Sequence, residues 1–391
     1  MEQSSIAQVL HQRFPAIQPL PSFIVPGVGD RLNVVTDSIN SGSLFGGVST
    51  SLILSALLAE RWNCDLRIVT RTAPSQKQNF HRVLQLNQIP FHRNVEFVFV
   101  NQADPGAQLS VGEREVFLTT SWWTTKSVMG TFGQKRIVYL IQEDEREFYP
   151  FGDDHLRCSD TLRTAELKVL INTQLLYDYL VSEGFDNIRD NGIWFEPSVP
   201  AHVFEHPPQQ QKSNFFFYAR PRHVRNLFYL GLEVIEAAVS RGILDPNVWE
   251  FYFVGTDIPR LNITSSCSAR LVQDVDYGEY TALVRKMDLG LCLMYTPHPS
   301  YPPLDLAASG AVVVTNKFAN KQDLSSYSGN ILCEKLDVNS LVEGIEKGVG
   351  LAKNLAARRA NFESSRLLHD WQTSFEAVMF HLDEWRSGVY H

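Results

Sequence analysis

Phe215-Phe216-Phe217-Tyr218-Ala219-Arg220-Pro221-Arg222-His223-Val224-Arg225-Asn226 is an apolar run that breaks into an arginine-rich loop, and a helical pattern follows over roughly 226–241. Consecutive large apolar residues suit a strand buried on both faces, as in parallel sheets covered by helices. The same succession of strand, loop and helix stands near the start of the chain. There Leu32-Asn33-Val34-Val35-Thr36 runs into a Ser- and Gly-rich loop over 38–47. A helix pattern then begins near Ser49-Thr50, with Leu52, Ile53, Leu57 and Leu58 on one side. Further strands are expected at 66–70, 95–100, 116–119, 137–141 and 169–172, with helices near 76–87, 122–130 and 173–183. The second half adds strands at 251–254, 289–294 and 312–314 and helices near 278–286 and 303–309. A final long helix over 366–385 carries Trp371, Phe375, Val378, Met379 and Leu382. This alternation predicts an α/β chain of two Rossmann-like parallel-sheet domains.

The stretch 194–213 is rich in proline and contains Gln209-Gln210-Gln211, so it reads as a linker crossing between domains. The expected domains are therefore 1–200 and 201–369. Two such domains create a cleft, and ligands of open α/β sheets sit beyond the carboxyl ends of the strands.

The 391 residues suit two domains of ordinary size, and 44% hydrophobic, 11% aromatic and 20% charged residues make a globular composition. A net charge of −8 argues against a bulk nucleic-acid binder. Cys64, Cys158, Cys267, Cys292 and Cys333 form no CxxC pair, which fits a reducing, cytoplasmic compartment and offers no zinc spacing. His202 and His206 are followed at once by Pro207 and Pro208, so no helical metal site is expected there. No signal peptide and no membrane-spanning run are read. Ile6, Val9, Leu10 and Phe14 form one face of a short helix. That face is expected to pack on the protein's own body, with peripheral membrane contact as the alternative.

Four loops could carry chemistry. In the first, Arg220, Arg222 and Arg225 follow a strand, and guanidinium groups clamp phosphate oxygens while staying charged at every working pH. The alternative is a solvated loop with scattered charge. The second, Thr296-Pro297-His298-Pro299-Ser300-Tyr301-Pro302-Pro303-Leu304-Asp305, leads into a helix start. The amides of Ser300 and Tyr301 are expected to face an anion there. The third, Gly42-Ser43-Leu44-Phe45-Gly46-Gly47, is either a ligand loop or a plain tight turn. The fourth, 142–150, places Asp144 and Glu145 after a strand, to hold sugar hydroxyls, to act as a base, or simply to face solvent.

Together these loops resemble the GT-B glycosyltransferases, in particular family 4 and its WsaF-type rhamnosyltransferases. The Tyr-Ala-Arg-Pro…Arg-Asn run at 218–226 is similar to that group's donor-phosphate loop, and 297–305 with Thr315-Asn316 is similar to its donor motif. Gly42 to Gly47 and Gln142…Glu145…Phe148-Tyr149-Pro150 also match, so the likeness runs from about 31 to 330. It implies two facing domains, with 370–391 packing back onto the first. It implies that Arg220 and Arg225 grip the diphosphate and that His298, Pro299, Ser300 and Tyr301 surround the donor. Asp305 would hold the ribose, and Pro297 stands where the broader family has a first glutamate. A deoxyribose offers one free ring hydroxyl, so the short Asp305 fits a thymidine donor. Gly255, Val275 and Tyr277 would surround the base, with Gly46, Gly47, Asp144 and Glu145 on the acceptor side. The implied reaction transfers L-rhamnose from dTDP-β-L-rhamnose to a saccharide or lipid-linked glycan in bacterial surface polysaccharide synthesis. It proceeds with retention and without a metal or other cofactor. Another nucleotide sugar, or a catalytically silent scaffold, are the alternatives.

Overall fold

The computed structural model describes residues 5–27, 29–40, 46–104, 106–199, 212–273 and 275–389. The chain divides into two compact units, one of Met1–Pro197 with Trp371–His391 and the other of Ser198–Asp370.

In the first unit seven strands form one parallel sheet: β1 (Arg31–Thr36), β2 (Asp65–Thr70), β3 (Val95–Phe99), β4 (Val116–Thr119), β5 (Ile137–Ile141), β6 (Lys168–Asn172) and β7 (Gly192–Phe195). Their order is β3-β2-β1-β4-β5-β6-β7. Side chains alternate between two buried faces. Val34, Ile68, Leu118 and Leu140 pack with the helix Gly47–Trp62 on one side. On the other, Val35, Val69, Phe117, Tyr139 and Ile141 pack with Trp122 and Val128.

The second unit holds six parallel strands: β8 (Ser213–Ala219), β9 (Trp249–Gly255), β10 (Arg270–Gln273), β11 (Leu289–Leu291), β12 (Val312–Asn316) and β13 (Ile331–Glu334). The order is β10-β9-β8-β11-β12-β13. Phe217 pairs with Phe253 on one side and Leu291 on the other. Its ring packs on Phe253 at 5.0 Å and stacks on Phe228 of the helix Phe228–Ser240. In both sheets the first strand is flanked by the second and the fourth, so the strand order reverses beside it.

Three expectations are corrected. The last helix spans Trp371–Val389 and does not begin at 366. Residues before it are tied into the second unit instead: Arg366 N–H donates to Tyr327 O at 2.9 Å, and Val199 N–H to Leu368 O at 2.8 Å. The stretch assigned to the linker from Trp194 begins inside β7, which pairs with β6. The helix Ile6–Arg13 buries none of its residues, and Ile6, Val9 and Leu10 are exposed; only Phe14, just beyond it, is buried. Among the described residues no helix is long and apolar enough to cross a membrane.

The helix Trp371–Val389 completes the first unit's core. Trp371, Phe375, Val378, Met379 and Leu382 recur at helical spacing and are buried. Phe375 meets Phe195 at 4.8 Å and Trp371 at 5.1 Å, and Asp383 accepts the Trp62 indole N–H at 2.8 Å. Phe375→Ala is expected to cost the first unit about 3–5 kcal/mol, the range for emptying a fully buried aromatic position. Urea unfolding followed by circular dichroism measures it.

Candidate functional site

In an open parallel sheet the loops beside the reversal point run apart, leaving a crevice at the carboxyl ends of the strands. In the second unit that point lies between β8 and β11. Arg220 follows β8 directly, and Gly255 ends the neighbouring β9. A Cβ on Gly255 would lie 1.9 Å from the Ala219 carbonyl oxygen, so only glycine lets these strand ends come together.

The two expected donor loops are joined. Tyr295 N–H donates to Arg225 O at 2.7 Å, and Asn226 Nδ2 lies 3.2 Å from Met294 Sδ. Arg220 Nη2 lies 2.7 Å from His223 Nε2 and Nη1 lies 3.3 Å from the Tyr218 hydroxyl. Arginine can only donate, so His223 accepts at Nε2 and carries its proton on Nδ1. Burial, followed by the charges of Arg220 and Arg225, pushes the His223 pKa down to about 4. The loop is thus a local concentration of positive charge in an acidic protein.

The loop after β11 leaves the sheet early, because Asn316 takes over its backbone. Met294 N–H donates to Asn316 Oδ1 at 2.7 Å and Asn316 Nδ2 donates to Met294 O at 3.0 Å. His298, Pro299 and Ser300 are buried. Ser300 has a φ of 71°, a strained left-handed conformation for a residue with a side chain, and begins the helix Tyr301–Ala308. Its amide donates to His298 Nδ1 at 2.9 Å. The expectation that this amide faces a phosphate is therefore corrected: it fixes the His298 ring with the proton on Nε2. The Ser300 Oγ and Arg220 Nε are buried without a hydrogen-bond partner among the described residues.

Lys321 was not singled out from the sequence. It is fully buried, and its ammonium donates to Met294 O at 3.3 Å and His298 O at 3.4 Å, bracketing the loop from beneath. A lysine in a polar turn gives no sign of such burial; its place just after β12 was the available signal.

Asp305 is half-buried and accepts a hydrogen bond from the Tyr280 hydroxyl at 3.0 Å. The protein around its carboxyl raises the pKa to about 7, against the opposing pull of Tyr280. Asp276 caps the helix Tyr277–Val284 through the Glu279 amide at 2.9 Å, beside the half-buried Val275. Asp274 and the Tyr277 side chain lie outside the described residues.

In the first unit, residues 42–45 of the glycine loop lie outside the described residues. Gly46 has φ 64° and ψ −108°, a conformation open to glycine, at the start of the helix Gly47–Trp62. Gln142 Nε2 donates to Gly47 O at 2.7 Å and would stand 2.9 Å from a Cβ there. Asp144 and Glu145 are both buried. Asp144 pairs with the Arg146 guanidinium at 2.6 Å, and Glu145 accepts from Trp122 N–H at 2.6 Å and the Tyr139 hydroxyl at 2.8 Å. Both carboxylates thus have internal partners and do not form the solvent-facing charge run considered above. Among the described residues no group of three or more His, Cys, Asp or Glu could hold a metal ion.

Residues 31–174 match the N-terminal domain of the WsaF family, and residues 213–346 match its C-terminal domain. The chain carries both WsaF domains, in order. Its fold is that of the GT-B glycosyltransferases. Anabaena Alr3699/HepE, solved with UDP and glucose, superimposes with a TM-score of 0.63 at 12% identity over 90% of this chain and 99% of that one. A Staphylococcus aureus TarM variant solved with UDP gives 0.60 at 11% identity over 92% and 100%, and WaaG, involved in lipopolysaccharide biosynthesis, gives 0.55 at 12% over 90% and 98%. The Myxococcus xanthus O-antigen biosynthesis protein RfbC is 27% identical over 280 residues, covering 68% of this chain. The chain spans about a fifth of that relative, 20% of its length.

The raised Asp305 pKa fixes the sign of a stability test. From about pH 4 to about 7 the folded protein retains a proton that the unfolded chain, at its ordinary carboxyl value near 4, has already lost, so this group's contribution falls as pH rises. Asp305→Asn keeps an acceptor for Tyr280 and removes the titration. Its melting temperature relative to the unsubstituted protein is expected to be higher at pH 8 than at pH 5, by differential scanning fluorimetry.

Proposed function

We propose that this chain is a glycosyltransferase that takes a sugar from a nucleotide diphosphate donor and transfers it to a saccharide or lipid-linked glycan in polysaccharide synthesis. The observation that carries this reading is the union of two loops at the reversal point of the second sheet, with Arg220 and Arg225 on one and His298 and Ser300 on the other. Cations and N–H dipoles fixed before the reaction stabilise charge as it develops on a departing diphosphate, without reorganisation and without needing a metal. The Arg220 and Arg225 guanidinium groups would meet the phosphates and Asp305 the ribose. The second unit is then the donor domain and the first the acceptor domain. RfbC, as an O-antigen biosynthesis protein, supports the polysaccharide setting. A cytoplasmic site of action suits a nucleotide-sugar substrate.

For the donor we propose dTDP-β-L-rhamnose, with retention at the anomeric carbon. The WsaF domain matches and the short Asp305 support it. In a retaining route the acceptor hydroxyl attacks from the leaving-group face and passes its proton to the departing phosphate oxygen. No protein base is then required, which agrees with Asp144 and Glu145 having internal partners. A second reading, UDP-glucose as donor, is favoured by the likeness to HepE, solved with UDP-glucose.

Thermal shift with dTDP, UDP and GDP separates these readings, because a ligand bound only by the folded state raises its melting temperature. Arg220→Ala and Arg225→Ala should each weaken binding of the cognate nucleotide diphosphate about 10- to 100-fold by calorimetry, the worth of a hydrogen bond to a charged group. Unchanged affinity in both variants removes the phosphate-clamp assignment, and a protein that binds no nucleotide is a scaffold.

A further inference from the structure

The carboxyl edge of the first unit's sheet carries a polar cluster that the donor site does not use. Asp37 follows β1 and Arg71 follows β2. Arg71 N–H donates to Thr36 O at 3.0 Å and to Asp37 O at 3.1 Å, and Thr72 N–H donates to Asp37 O at 3.0 Å, so the two side chains start side by side. Trp123, in the first turn of the helix Trp122–Phe132 after β4, donates its indole N–H to both Asp37 carboxylate oxygens, at 3.0 and 3.1 Å. Since the strand order reverses between β1 and β4, Asp37 and Trp123 stand where an open α/β sheet takes its ligand.

Arg71 is the unexplained member. It is 2% exposed, its Nη1 is buried with no hydrogen-bond partner, and its side chain makes no hydrogen bond among the described residues. Asp37 is the opposite charge that acts on it, and that carboxylate is held by Trp123. A buried guanidinium left unbonded weakens a fold, so a chain that keeps one has another use for it.

We propose that Asp37, Arg71 and Trp123 form a binding site for a neutral saccharide, the acceptor of the transfer argued above. A carboxylate needs donors and a guanidinium needs acceptors, and the neighbouring hydroxyls of a pyranose supply both. A phosphate or carboxylate ligand would satisfy Arg71 but be repelled by Asp37, and a cation would meet the reverse. The half-buried Trp123 indole, with Phe148 at 6.4 Å, gives the apolar wall for a sugar's C–H face. Calling the saccharide the acceptor rests on the glycosyltransferase reading; the binding site itself does not.

The test uses the full chain with methyl α-L-rhamnopyranoside and methyl α-D-glucopyranoside in saturation-transfer NMR, beside melting curves and nucleotide calorimetry. At least one glycoside should take up saturation from the unsubstituted protein. Arg71→Met and Asp37→Asn should each reduce that signal about fivefold or more, the loss of one or two hydrogen bonds. Arg71→Met removes an unbonded buried charge but also takes a neighbouring positive charge from Asp37, so it should melt within a few degrees of the unsubstituted protein, and nucleotide affinity should not move in either variant. No glycoside signal, a signal retained in both variants, or a melting temperature several degrees lower in Arg71→Met would each overturn the proposal; the last assigns the guanidinium to the fold. If no nucleotide binds, the transferase reading falls while the glycoside signals still decide the site.

Discussion

The donor site proposed for the second unit depends on one backbone contact, the hydrogen bond from Tyr295 N–H to Arg225 O. It joins a loop rich in cationic side chains to a loop that leads into a helix start. Neither loop alone would distinguish a phosphate site from ordinary surface charge. The contact is possible because β8 and β11 are neighbours, and they are neighbours because the apolar runs at 213–219 and 289–291 pair in register. Burial of phenylalanine rings thus sets the position of arginines several residues away.

Much of the second unit's polar interior holds that arrangement still. Asn316 uses both ends of its amide on Met294, Lys321 bridges Met294 O and His298 O, and Ser300 N–H locks the His298 ring. Buried polar groups satisfied in this way rigidify a site, since the alternative to each bond is an unsolvated partner. The Arg220–His223 contact differs, because it joins two side chains of one loop, and an anion can take the place of the imidazole on the guanidinium.

The sheet centres were legible because β1, β5, β8 and β12 are runs of apolar or β-branched residues. The edge strands β10 and β13 were missed because each is only four residues long and has polar ends: Arg270 and Gln273 bound the first, and Glu334 ends the second. On the site side, Arg220, His298 and Asp305 could be found because they sit in loops after recognisable strands. Lys321, Asp37 and Arg71 could not, because their meaning lies in burial and in which hydrogen bonds they make or lack. The role expected for the Ser300 amide failed for a related reason. A sequence shows that a donor exists, while competition from a neighbouring imidazole appears only in three dimensions.

The helix Trp371–Val389 belongs to the first unit yet is synthesised after the whole of the second. On the ribosome, the sheet β1 to β7 therefore emerges with one apolar face lacking Trp371, Phe375 and Val378, and waits while more than 170 residues, Ser198–Asp370, are added. The second unit is contiguous and can finish folding first. Nascent first units would be the species with exposed hydrophobic surface, and the demand for chaperone protection should fall on them until translation passes the final helix.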